Sequence, residues 1–82
     1  MPRFYFDICE GPEFIADDEG SEYADLDAAE REAVLAAAEL SKDRFPTGRV
    51  REIAIGVRDR AGQRLLTATV SMQIERVHLL SE

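Results

Sequence analysis

One cysteine, one histidine and a group of arginines are the residues of this 82-residue chain that invite a chemical reading. Cys9 would serve as a nucleophile if a cation or a helix N-terminus held it as thiolate. It lies instead in the acidic stretch Asp7 to Glu13, which disfavours the thiolate, and so reads as structural. His78 stands near the C-terminus among Val77, Leu79 and Leu80. A lone imidazole excludes a two-histidine metal site within one chain, and no nucleophile is spaced to use it as a base. It reads as a surface or interface residue.

Asp17-Asp18-Glu19-Gly20-Ser21-Glu22 has the look of a calcium loop. An EF-hand needs glycine sixth and glutamate twelfth; here Glu22 and Ala28 hold those places, and the match fails. Whether this turn holds some other cation is left open. Gly56 and Gly62 are isolated, so there is no glycine-rich phosphate loop. Arg58, Arg60 and Arg64 flank a predicted turn and would suit an anion or an acidic partner. Arginines placed there also keep hairpin edges soluble. With no serine–histidine–aspartate set and no CxxC, the expectation is a non-enzymatic chain without cofactor or bound metal.

The elements that would position these residues follow from periodicity. Arg3 to Glu10 alternates Phe4, Phe6 and Ile8 against Tyr5, Asp7 and Cys9, the pattern of a half-buried strand. Gly11-Pro12 turns the chain, and a short strand around Phe14 and Ile15 completes a hairpin over 3–17. A helix is predicted over 25–44, capped by Asp25 or Asp27. Leu26, Ala29, Ala33, Ala36, Ala37 and Leu40 gather on one face, a narrow stripe of small residues suited to close packing on a sheet. Pro46-Thr47-Gly48 ends it. A second hairpin spans 52–76 about the turn Asp59–Gly62. In its last strand Leu66, Ala68, Val70, Met72 and Ile74 alternate with a hydroxyl and amide face.

The order ββαββ defines one α+β domain over 1–82, a two-layer sandwich with one helix on a mainly antiparallel four-stranded sheet. Phe4, Phe6, Ile8, Leu26, Ala33, Leu40, Ile55, Val57, Val70 and Met72 are its expected core.

Composition narrows the function classes. The chain carries 17 acidic against 10 basic residues, a net charge of -7, which argues against a dedicated nucleic-acid binder. No apolar run approaches the ~20 residues of a membrane helix. The single cysteine favours a reducing compartment, and the expectation is a cytoplasmic protein. Charge is split: residues 1–41 are strongly acidic, whereas residues 42–82 carry a basic excess. Either the halves face one another, within the fold or between subunits, or solvated loops simply carry them.

Apolar residues exceed what one helix and one sheet can cover. Leu35 lies opposite the helix stripe, Val34 to one side of it, and Val77, Leu79 and Leu80 follow the last strand. Such surpluses point to a partner protein or a second copy, with a homodimer expected through the last strand pairing about a two-fold axis. A protein-interaction module is therefore the leading reading. The alternative is a small regulatory protein, of antitoxin or stress type, touching nucleic acid through Arg49, Arg51, Arg58, Arg60 and Arg64.

Met1-Pro2-Arg3-Phe4-Tyr5-Phe6-Asp7, Phe14-Ile15-x-Asp17-x-Glu19-Gly20, Asp25-Leu26-x-Ala28-Ala29 and Val57-Arg58-Asp59-x-x-Gly62 occur here in order. Together they resemble a family of short uncharacterised proteins common in rhizobia and related alphaproteobacteria, across Met1 to about Val70. The resemblance implies a domain of unknown function and carries over no catalytic or binding residue.

Overall fold

The computed structural model describes residues 1–78. Strand β1 is Arg3–Glu10, β2 Glu13–Ile15, β3 Ser21–Glu22, β4 Glu52–Arg58 and β5 Arg64–Ser71, with helix α1 at Leu26–Arg44 between the third and fourth. The sheet order is β2-β1-β4-β5, and β3 also pairs with β1. Every pairing is antiparallel. The two hairpins are thus joined through their long inner strands, β1 and β4, as the one-helix α+β sandwich requires.

Helix α1 begins where aspartate stops the extended chain. The Asp25 carboxylate accepts from the Ala28 N–H at 2.9 Å, and so takes the N-cap that the sequence left between Asp25 and Asp27. Beyond Arg44 the chain tightens into a 3-10 turn over Phe45–Thr47, and Gly48 at φ 77° ends it. The small-residue stripe packs as expected: Ala29, Ala33 and Ala37 are fully buried, with Ser41 continuing the row. They cluster with Phe4, Ile55 and Val57, while Phe6, Ile8, Leu40, Leu66, Ala68 and Val70 pack around them half-buried. With no side chain longer than a methyl, these alanines let the helix axis sit close to the sheet.

Two expected core residues are not in the core. Leu26 is exposed because it is the first residue of the helix, at the end of the stripe. Met72 is exposed because β4 supplies no strand partner beyond Glu52. The same shortage of partner shortens the second hairpin from its expected end at 76 to Ser71. Only the Met72 N–H reaches back, to the Arg51 carbonyl at 2.8 Å. The first half gains an element instead, since Ser21–Glu22 pairs with Arg3–Phe4 where a plain loop was expected.

Candidate functional site

The sheet face away from α1 carries a buried charge. Asp7 is only 3% exposed, although it alternates with the helix-facing Phe6 and Ile8 and so points to the open side. Its cover is made of cations. Arg58 Nε donates to Asp7 Oδ2 at 2.9 Å, and Arg64 NH2 approaches the same oxygen at 3.4 Å. The Asp17 N–H donates to Asp7 Oδ1 at 3.0 Å. Arg58 also donates to the Asp17 carbonyl at 2.6 Å, and its guanidinium lies 4.6 Å from the Tyr5 ring centroid.

Two local features bring Arg64 there. Along β5, Leu66, Ala68 and Val70 face the helix, so regular alternation would turn Arg64 to that side as well. A bulge between Val57 and Arg58 sets Arg64 opposite Arg58 and moves it to the open face. Gly56, directly across from Asp7 in the β1–β4 register, then leaves the guanidinium room to lie flat on the sheet. Any Cβ at Gly56 would run into it.

Asp17 closes the outer edge of β1. Between β2 and β3 the strand has no backbone partner, and there the Asp17 carboxylate accepts from the Phe6 N–H at 3.1 Å. The same carboxylate accepts from the Glu19 and Gly20 N–H groups. Gly20 holds φ 72°, where an added Cβ would stand 2.8 Å from the Tyr5 ring and 3.0 Å from the Phe4 carbonyl oxygen. Gly20→Ala should therefore cost about 1–3 kcal/mol, through strain and a backbone clash. Gly56→Ala should cost less than about 1 kcal/mol, because only the flexible end of a half-exposed arginine must move. Urea titrations of the two variants check the contrast, which fails if they are equally destabilised.

Burial pushes the Asp7 carboxyl up, but the Asp17 N–H and the Arg58 and Arg64 charges outweigh it, leaving its pKa below the ordinary 3.8. Asp17 is likewise lowered: burial opposes, and the N–H groups of Gly20, Phe6 and Glu19, with the Arg58 charge, prevail. Both folded values lie under the unfolded ones, so this stabilisation is complete above the ordinary aspartate range and disappears as pH falls through the lower folded values. Stability should drop between about pH 5 and about pH 2, and drop less steeply in Asp7→Asn. Circular dichroism across that range checks it; identical acid transitions in both proteins would contradict it.

Of the arginines singled out from the sequence, Arg58 and Arg64 are engaged on Asp7, whereas Arg60 is exposed in the turn. Arg44 pairs with Glu10 at 2.8 Å. These contacts join the basic half of the chain to its acidic half within the fold. Cys9 is half-buried on β1, and His78 is exposed. No cluster of metal-ligating side chains occurs among the described residues. Among the described residues no helix is long and apolar enough to cross a membrane. Leu35 and Val77 are exposed, at 59% and 83%; Leu79 and Leu80 lie outside the described residues.

Exposed apolar side chains occur on β2 (Phe14, Ile15), on the helix (Val34, Leu35) and after β5 (Met72, Ile74, Val77). A groove of about 680 Å³ runs between the helix C-terminus and the end of β5, lined by Ala38, Ser41, Phe45, Val70, Met72 and Ile74 among others.

The fold is thus a one-helix α+β sandwich whose open sheet face is tied by an internal ion cluster. Residues 3–71 match the family model described as a domain of unknown function, DUF6894, and the chain belongs to that family. Neither the curated proteins nor the solved structures gave a match.

Proposed function

We propose that this domain is a non-enzymatic protein-interaction module that associates with a second copy of itself. One contrast carries the reading. At the centre of the open sheet face the charged side chains are engaged on one another, in the Asp7–Arg58–Arg64 cluster. Apolar side chains are left exposed on the helix and after β5: Val34 and Leu35, then Met72, Ile74 and Val77. A domain of this size gains little from its own core, so covering that surface would add appreciably to its stability. Leu35, Val77, Leu79 and Leu80 are the proposed contact residues outside the sheet.

Light scattering from about 10 µM to several hundred µM tests it, a range in which an ordinary interface becomes occupied. The expected mass rises to twice the 9.2 kDa of one chain. A monomer throughout would sink the self-association.

A further inference from the structure

The two edges of the sheet are built differently. On the β1 side the edge is broken into two short strands, β2 of three residues against Ile8–Glu10 and β3 of two against Arg3–Phe4, with the Asp17 carboxylate on the Phe6 N–H between them. The outer side of β5 has no neighbour among the described residues. The Met72 N–H bonds toward β4, so by alternation Val70, Ala68 and Leu66 do the same. The N–H and C=O groups of Thr67, Thr69 and Ser71 therefore point outward, an open row of donors and acceptors.

Natural edges of this length are blunted by lysine, proline or an inward charge. This one has none. Leu65 to Ile74 is a stretch of ten residues without charge or proline, the longest uncharged stretch in a chain of net charge -7. Two such acidic chains meet most easily along that strip. We infer that β5 pairs antiparallel with β5 of a second copy about a two-fold axis through Ala68, making one continuous sheet across the dimer. This rests on the self-association proposed above and specifies its geometry.

Self-complementarity selects the second copy as occupant. With Ala68 on the axis, each residue from Leu65 to Ser71 meets another of the set: Leu65 faces Ser71, Leu66 faces Val70, and Thr67 faces Thr69. On the open face the Thr67 and Thr69 hydroxyls meet, with Leu65 against Ser71 at the ends, and on the helix side Leu66 meets Val70; threonine–threonine and aliphatic pairs are favourable cross-strand pairings. A one-residue slip would put side chains on the wrong faces. The smallest side chain sits on the axis. Both helices then lie on one face of the joined sheet. Ala38 already lines the groove beside Val70, and Val34, one turn earlier on the same side of the helix, is 53% exposed. Those helix sides face each other across the axis and cover each other's apolar residues.

Light scattering on T67K/T69K and T67K/T69E, with circular dichroism to confirm folding, separates the possibilities. Thr67 and Thr69 are exposed in the monomer, so neither variant disturbs the core. T67K/T69K sets lysine against lysine twice across the axis and should weaken dimerisation about tenfold or more. It does so while bringing the net charge nearer zero, so general repulsion between chains cannot account for the loss. T67K/T69E sets lysine against glutamate and should dimerise at least as well as wild type. If T67K/T69K dimerises like wild type, the self-association uses another surface and the edge pairing is wrong. If both variants dissociate, the Ala68 register is wrong. A monomeric wild type overturns the self-association itself.

Discussion

Asp7→Ala should lower the stability of this domain by about 3 kcal/mol, a large share of what so small a core supplies. The carboxylate is 3% exposed and is the shared partner of Arg58, Arg64 and the Asp17 N–H. Its removal leaves two like charges side by side and a part-buried donor without its acceptor. Breaking a buried ion pair from one side typically costs about 3–5 kcal/mol. The lower end applies here, because the Arg58 and Arg64 side chains are 25% and 48% exposed and can turn to water. Arg64→Ala should cost no more than about 1 kcal/mol for the same reason. Asp7→Asn keeps the shape and an acceptor for the Asp17 N–H, so it should fall between the two. Urea denaturation followed by far-ultraviolet circular dichroism measures all three. An Asp7→Ala protein within about 1 kcal/mol of wild type would show that the cluster is not what holds the open face.

Asp7 also marks the boundary of what periodicity could reveal. Alternation in Arg3–Glu10 assigns Asp7 correctly to the face away from the helix, but that face reads as wet. Nothing in β1 alone shows that arginines from two strands more than fifty residues later will bury it. Arg64 was further hidden by the bulge, since strict alternation sends it to the helix side with Leu66. The signal that was available is composition: Gly56 is the only residue without a side chain in the otherwise aliphatic run from Ile53 to Val57, and it faces Asp7.

The helix and the long strands were legible for the opposite reason. Their patterns are local, and tertiary packing reinforces them: Asp25 caps, the alanine row packs, and Phe4, Ile55 and Val57 turn inward. The termini of elements were less so. β5 stops at Ser71 although Met72 and Ile74 keep the alternation, because a strand needs a partner as well as a pattern. Ser21–Glu22 pairs despite having no pattern at all, held in place by Asp17 and Gly20. The candidate interface was visible as surplus apolar residues. The pairing proposed for it required knowing that β5 is the long, unbroken edge of the sheet.

Ile55→Ala should be the most damaging substitution in the hydrophobic layer, at about 3–5 kcal/mol. Ile55 is 1% exposed, sits in the middle of β4, and is paired with Ile8 on one side and Ala68 on the other. Above it lies the alanine row of α1, where no long side chain is available to swing into the space. The sheet on both sides holds the backbone still, so the void cannot collapse and the full cavity penalty applies. Ala33→Leu tests the same contact from the other side. Ala33 is fully buried in the same cluster, and the added atoms must push the helix off the sheet, at about 1–3 kcal/mol. If α1 owes its position to close contact between the alanine row and β4, the two changes will compensate. The double variant Ala33→Leu, Ile55→Ala should then be more stable than the sum of the single losses predicts, by about 1 kcal/mol or more. Strict additivity in denaturant titrations would mean that the two side chains do not share a space and that the helix is held mainly by its ends.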